Sequence, residues 1–205
     1  MSLSYMPGSF LSLFKQTIAS PLCMMNTTNK STNQEYVVVV DENDNAIGLA
    51  EKMDAHVNPV MHRAFSVFIF NSDKQLLLQR RALGKYHSPG LWTNTCCSHP
   101  RQDETILDAA HRRMREEMGM CCNMEEAFSF TYKADVGQGL TEHEFDHVLI
   151  GHSNDSPHIN PDEVDSIRYA TLEEISKEIH ERPEQFTMWF KIVFNRLVKH
   201  FSTLQ

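Results

Sequence analysis

Alternating apolar and polar positions divide the chain from residue 36 onward into short strands and a few helices. Residues 36–40 form a β-branched run, residues 41–45 read D-E-N-D-N, and residues 46–49 are again apolar. This order predicts a β-hairpin with a polar turn. Further strands are predicted over residues 62–70, 75–81, 128–134 and 144–152, and helices over residues 104–118, 172–180 and 188–201.

The clearest of these helices covers residues 104–118. Leu107, Ala110, Met114 and Met118 recur at near-helical spacing, and Gly119 is suited to end the helix. Strands interspersed with a few helices predict a mixed-sheet domain of the α/β or α+β class.

The chain length favours one domain with a substantial core. At 205 residues it is too short for two comfortable domains. Residues 1–34 are dominated by Met, Ser, Thr and Asn, and Lys15 and Lys30 are their only charges. We therefore predict a disordered extension over residues 1–34 and a single domain over residues 35–205.

Composition and charge exclude several classes of protein. No apolar run approaches the roughly 20 residues that a membrane span needs, and a net charge of -8 argues against a nucleic-acid binder. The five cysteines include two adjacent pairs and no C-x-x-C pair. This usage disfavours a disulfide framework and a thiolate zinc site, and it favours a reducing cytoplasm.

The candidate chemistry centres on residues 93–100, which read T-N-T-C-C-S-H-P. His56 and His62 lie upstream of this loop, and the triplet E-H-E lies downstream at residues 142–144. Residues at positions i and i+2 of a strand point to the same side, so Glu142 and Glu144 can share a ligand. Metal ligands could therefore converge beside a thiol, although each histidine alone is equally well explained as a surface or core residue.

The helix over residues 104–118 carries a second motif that resembles the Nudix box, G-x5-E-x7-R-E-U-x-E-E-x-G-U, in which U is aliphatic. The positions in register are Glu104, Arg112, Glu116, Glu117 and Gly119. Ser98 stands in place of the first glycine and Arg113 in place of an acid. In this motif an acidic cluster holds divalent cations on a diphosphate. The plainer interpretation is a solvated helix face with Arg113 and Glu117 paired at i and i+4.

A further set of short segments spans most of the chain from residue 36: E-K at 51–52 with His56, H-R-A-F-S at 62–66, Q-R-R-A-L at 79–83 with Lys85, P-G at 89–90, the loop at 93–100, E-H-E at 142–144 and W-F at 189–190. Together, and in this order, these segments resemble the type I isopentenyl-diphosphate isomerases, a family of Nudix fold that does not hydrolyse its substrate. The resemblance implies a Nudix-like α/β/α sandwich with a mixed sheet and an extra N-terminal hairpin.

The resemblance also implies a metal site and a set of acid-base groups. One divalent cation, Mg, Mn or Zn, is expected on five residues: His56, His62, His99, Glu142 and Glu144. Cys97 and Glu144 are expected to exchange protons with the alkene, with help from Tyr132. Trp189 is expected to stabilise a tertiary carbocation with its π-face. Taken alone, Cys97 would pass for an inert buried thiol and Trp189 for a core residue.

The substrate implied by the resemblance is a small diphosphate, and its cationic contacts must be local in an acidic chain. Four positions match phosphate-binding residues of the family: Lys52, Arg81, Lys85 and Arg113. A second Mg²⁺ would arrive with the diphosphate and bind Glu117 and the carbonyl of Cys97. We expect a monomer with no macromolecular partner.

Three functions are consistent with these residues. The first is the interconversion of isopentenyl and dimethylallyl diphosphate in isoprenoid biosynthesis. The second is hydrolysis of a diphosphate by a Nudix-type enzyme, and the third is a non-catalytic module that binds a metal or a diphosphate. Only the first requires Cys97 for activity.

Overall fold

The computed structural model describes residues 35–203, so the predicted disorder of residues 1–34 lies outside the described residues. The strands are β1 Tyr36–Val40, β2 Ala46–Glu51, β3 His62–Phe70, β4 Leu76–Arg81, β5 Trp92–Thr93, β6 Cys96–Ser98, β7 Met124–Gly137, β8 Leu140–His152 and β9 Val164–Ala170. The helices are α1 Lys52–Val57, α2 Ile106–Arg113, α3 Leu172–Glu181 and α4 Met188–Thr203. No helix among these residues is long and apolar enough to cross a membrane.

Within the described residues the strands form one mixed sheet around β3. The predicted N-terminal hairpin is confirmed as β1 and β2, which pair antiparallel. Strand β3 pairs antiparallel with β1, β4 and β6, and parallel with β8. The parallel register sets His62 opposite Glu144, so two predicted metal ligands 82 positions apart become neighbours.

Helices cover both faces of the sheet, as the predicted sandwich requires. Successive residues of β3 point to opposite faces, so Val67 and Phe68 enter different cores. One core joins the sheet to α3 and α4 and includes Phe190 and Phe194. The other joins it to α2 and includes Ala109. A strand buried on both faces explains why residues 62–70 are almost continuously apolar.

The predicted helix over residues 104–118 is shorter and less regular than its sequence pattern suggests. Helix α2 begins at Ile106 because the Thr105 side chain accepts a hydrogen bond from the Asp108 N–H at 3.1 Å. Met114–Met118 then form a π-helical turn. Gly119 ends it with φ of 61°, where an added Cβ would lie 2.5 Å from the carbonyl oxygen of His158.

Other elements also differ from the sequence pattern. Strands β7 and β8 extend to a tight turn at Gln138 and Gly139, both with positive φ, and are therefore longer than predicted. Strands β5 and β6 have two and three residues, too few to show an alternating pattern. Strand β9 and helix α1 were also missed, because each is held chiefly by its neighbours.

Candidate active site

A cavity between β3, β6, β8 and the loop after β4 collects most of the predicted site residues. Its lining includes eleven of them: Lys52, Arg81, Lys85, Cys97, His99, Arg113, Glu117, Tyr132, Glu142, Glu144 and Trp189. The remaining two, His56 and His62, are fully buried. The fold therefore brings site residues from distant segments of the chain to one cavity.

Four of the five predicted metal ligands form a compact group. The ligand atoms of His56, His62, His99 and Glu142 all lie within 4.8 Å of one another. Glu144 is adjacent rather than part of this group, with Oε1 3.0 Å from His99 Nε2 and 3.7 Å from His62 Nε2. We call the four residues the metal group.

The histidines of this group are held so that their Nε2 atoms face a common point. His56 Nδ1 contacts the Lys52 carbonyl, and His62 Nδ1 lies 2.8 Å from the Val60 carbonyl. A carbonyl is only an acceptor, so each Nδ1 carries the proton and, in the neutral ring, each Nε2 carries a lone pair. Histidine held in this tautomer is ready to bind a metal ion.

The buried polar atoms of the group fit a cation better than they fit one another. His56 Nε2 and Glu142 Oε2 lie 2.9 Å apart, yet neither atom has a partner with hydrogen-bond geometry. His62 Nε2 lies 3.2 Å from His99 Nε2. Unpaired buried acceptors at such distances are costly unless a positive charge lies between them. The residues therefore fit a divalent cation with mixed nitrogen and oxygen ligands.

Burial is the largest influence on the pKa values of this group, and the charges within the group then shift those values in different directions. Burial lowers the pKa of His62 to about 4. Burial also lowers the pKa of His56, but Glu142 and the Lys52 carbonyl together raise it, so the net shift is upward. Burial raises the pKa of Glu142, whereas the nearby histidines lower it to about 2 overall. Glu142 is therefore a carboxylate at neutral pH.

Glu144 lies next to Glu142 on the same face of β8, as predicted from their spacing. Burial, followed by the charges of Glu142 and Asp146, raises the pKa of Glu144 well above its usual range. The Tyr132 hydroxyl donates to Glu144 Oε2 at 2.6 Å across the β7–β8 ladder, where the two residues are direct partners. His143 points elsewhere, and its Nδ1 lies 2.9 Å from the Pro59 carbonyl.

Cys97 enters the cavity from β6, which is anchored to β3 by the register pairs Ser66–Cys97 and Val67–Cys96. Burial raises the pKa of the Cys97 thiol to about 12, with the nearby acids adding to the shift. The thiol is thus protonated at neutral pH and suited to act as an acid. Cys96 is also buried, but it packs into the core under α2.

The basic residues of the cavity are partly neutralised by acids. Lys52 Nζ lies 2.7 Å from Glu35, and Lys85 pairs with Glu163. Arg113 pairs with Glu117, as the plainer interpretation of the helix predicted, and also lies 3.3 Å from Glu163.

Arg81 differs from the other basic residues because it is buried and its Nε has no partner among the described residues. Its guanidinium carbon lies 5.1 Å from the centre of the Trp189 ring. Trp189 is 5% exposed and belongs to the core as well as to the cavity wall, while its role in stabilising a carbocation stays a prediction.

The Nudix-like residues tie the loop before α2 to the helix. Arg112 donates to both carboxylate oxygens of Glu104, at 2.7 and 2.8 Å, and to Glu116 at 3.3 Å. Glu117 is 5% exposed and accepts from Gln79 Nε2 at 3.0 Å. The motif therefore holds Glu117 at the cavity, beside Arg113.

Sequence reasoning missed several residues of this cavity. His87 was left as an ordinary histidine, yet it is 4% exposed and its Nε2 lies 3.5 Å from Glu142 Oε1. Tyr86 and Glu163 also line the cavity. Asp146 lies outside the lining, but it is buried, accepts from Oγ of the lining residue Ser66 at 2.9 Å and has its pKa raised by burial to about 7. Its position two residues after Glu144 was the available signal.

The comparison with known proteins agrees with this geometry. The family model for the NUDIX domain matches residues 60–190. Isopentenyl-diphosphate Delta-isomerase 2 of Aromatoleum aromaticum is 50% identical over 165 residues, which cover 80% of this chain and 87% of that protein. The chain belongs to the isopentenyl-diphosphate Delta-isomerase family. The Pectobacterium atrosepticum isomerase is 51% identical over 169 residues, covering 82% of this chain and 94% of that protein.

Two solved structures resemble the fold of this chain. A crystal structure of a Deinococcus radiodurans protein has a TM-score of 0.66 and 21% identity, and it covers 79% of this chain and 98% of its own. The MutT protein of Methanosarcina mazei has a TM-score of 0.57 and 18% identity, covering 68% of this chain and 94% of its own. These likenesses establish the fold alone.

Proposed function

We propose that this chain interconverts isopentenyl diphosphate and dimethylallyl diphosphate, with Cys97 and Glu144 as the two proton-transfer groups. The observation that carries the proposal is that the Cys97 thiol and the Glu144 carboxyl line one cavity together with Trp189. The reaction adds a proton to the terminal alkene carbon and removes another from the far side of a three-carbon unit. Two acid-base groups must therefore flank the substrate.

The two groups are matched to this task by their surroundings. Burial raises the pKa of Cys97 to about 12, so the thiol keeps a proton that it can donate. Burial and the charges of Glu142 and Asp146 raise the pKa of Glu144, and the Tyr132 hydroxyl opposes this shift by stabilising the charged form of the carboxyl. Because the reaction is reversible, each group serves as acid in one direction and as base in the other.

The intermediate would be a tertiary carbocation, which water would trap. The Trp189 ring forms part of the cavity wall and offers a π-face to a cation. Trp189 is the second residue of α4 and is 5% exposed, so its ring also excludes water from that side.

The diphosphate would bind the basic residues of the cavity. Lys52, Lys85 and Arg113 are held by acids, so the substrate would have to exchange places with Glu35, Glu163 and Glu117, respectively. Arg81 has a buried, unpartnered Nε and needs no such exchange. We assign Arg81 the first contact with a phosphate oxygen.

The metal group, with Glu144 beside it, would hold Mg, Mn or Zn. A bound divalent cation would offset the buried negative charge and lower the proton affinity of Glu144. Glu117 and the Cys97 carbonyl would hold a Mg²⁺ that accompanies the diphosphate. We also propose that the protein acts as a monomer. The free thiols of Cys96, Cys97, Cys121 and Cys122 suit a cytoplasmic site of action.

The decisive test incubates the metal-loaded protein with isopentenyl diphosphate in deuterated water. We expect dimethylallyl diphosphate that carries deuterium, detected by NMR. Cys97→Ala and Glu144→Gln should each abolish turnover while the circular dichroism spectrum is kept, and Cys121→Ala, at an exposed position, should not. Release of phosphate without isomerised product would favour the hydrolase, and neither product would favour the binding module.

A further inference from the structure

His87 lies between the metal group and the Trp189 ring. It belongs to the loop of residues 82–91 that joins β4 to β5, and it is 4% exposed. Its ring lines the cavity, next to that of Tyr86.

The backbone rather than the ring fixes where His87 lies. The loop closes on Arg81, whose N–H donates to the Leu91 carbonyl at 3.0 Å and whose carbonyl accepts from the Gly90 N–H at 3.0 Å. Arg81 Nη2 also donates to the His87 carbonyl at 3.1 Å. A substitution of the His87 side chain therefore leaves the supports of the loop in place.

The His87 ring contacts two functional groups at once. Its Nε2 lies 3.5 Å from Glu142 Oε1, while the other oxygen of that carboxylate, Oε2, lies 2.9 Å from His56. The two oxygens of Glu142 thus face different neighbours. The ring also meets Trp189 edge to face, with centroids 5.4 Å apart and planes at 83°.

The tautomer of His87 follows from its neighbours. A carboxylate oxygen only accepts hydrogen bonds, so a ring nitrogen that faces one carries the proton of the ring. Nδ1 is buried without a partner, whereas Nε2 faces a carboxylate oxygen. The proton therefore belongs on Nε2, directed at Glu142.

We propose that His87 is a positioning residue that couples the metal group to Trp189. Its Nε2–H orients Glu142 so that Oε2 points into the metal group, and its edge-to-face contact holds the indole against the cavity. Partners of metal-binding carboxylates commonly act in this way. The catalytic role of Trp189 rests on the proposed function. The link between metal binding and Trp189 can be measured without substrate.

The test uses the full chain with Trp92→Phe, which leaves Trp189 as the only one of the two tryptophans. Zn²⁺ is the probe, with its affinity measured by competition with a chromophoric chelator and its effect on Trp189 followed by fluorescence. We compare His87→Phe, which keeps a ring but no donor, with His87→Gln, which keeps a donor but no ring. His111→Phe is the matched control, because His111 also has a buried unpartnered Nδ1 but does not line the cavity.

The two variants should separate the two contacts. His87→Phe should lower Zn²⁺ affinity about 10- to 100-fold, whereas His87→Gln should keep it within about threefold. The parent should show a Zn²⁺-dependent change in Trp189 emission, and His87→Gln should lose that change. Both variants should lower kcat more than they change KM. His111→Phe should alter none of these values.

Unchanged Zn²⁺ affinity in His87→Phe would overturn the proposal. So would an equal loss of affinity in His87→Phe and His87→Gln, because the role would then be structural. If the phenylalanine does not fit, His87→Ala supplies the same comparison with the glutamine variant. If the protein proved not to be an isomerase, the affinity and emission results would still decide the role of His87.

Discussion

Tyr132→Phe tests the proposed acid-base assignment with the smallest change in packing. It removes the hydroxyl that donates to Glu144 Oε2 at 2.6 Å and keeps the ring, which stacks on Phe130 with centroids 5.7 Å apart. Glu144 is 8% exposed, so water cannot easily replace the lost donor. A hydrogen bond to a charged group contributes about 1.5 to 3 kcal/mol. If this energy stabilises the reacting form of Glu144, kcat should fall roughly 10- to 150-fold.

The assay is steady-state conversion of isopentenyl diphosphate at saturating metal, with KM and thermal stability measured alongside. KM should stay within about threefold, because Tyr132 is not among the proposed phosphate contacts. Tyr169→Phe, on β9 and outside the cavity lining, is the matched control and should leave kcat unchanged. A kcat for Tyr132→Phe within twofold of the parent would refute the reasoning.

Two further predictions concern single residues. Gly119→Ala should destabilise the protein by about 2 kcal/mol, since φ is 61° and the new Cβ would meet the His158 carbonyl. Calorimetry should show Tm lowered by about 4 to 8 °C. The control Gly84→Ala, with open space around the new Cβ, should shift Tm by less than about 2 °C. Equal shifts in the two variants would contradict this account. Iodoacetamide at pH 8 should spare Cys97 and label exposed Cys121, because a thiol with a pKa raised to about 12 is ionised in only about one molecule in ten thousand. Raising the pH towards 12 should speed Cys97 labelling, and rapid labelling at pH 8, measured by peptide mass spectrometry, would contradict the assignment.

The regular elements were predictable where the local pattern is strong. The first hairpin follows from a β-branched run and a polar turn, and α4 follows from its apolar spacing. Helix α2 was placed correctly but its ends were not, because the Thr105 cap and the π-helical turn depend on individual hydrogen bonds. Strands β5 and β6 were not predicted, because two or three residues are too few to show an alternation of apolar and polar positions.

The sequence predicted which residues form the candidate site better than it predicted how they are arranged. The resemblance to the isomerase family selected thirteen residues, and the structure brings them to one cavity and the metal group beside it. Their roles stay predictions. His87 could not be selected in this way, since its importance depends on contacts with Glu142 and Trp189, which lie 55 and 102 positions away.

By itself the sequence determined the fold class, the family and the chemical character of the site. These properties depend on local periodicity and on the types of residue within short motifs. Only the tertiary structure decided that His62 lies opposite Glu144, that Glu163 neutralises Lys85 and that His87 joins the metal group to Trp189. The physical reason is that such contacts arise from strand register and loop closure between distant segments. The local sequence pattern does not specify the distances between such segments. Those distances are set by the packing of the folded chain.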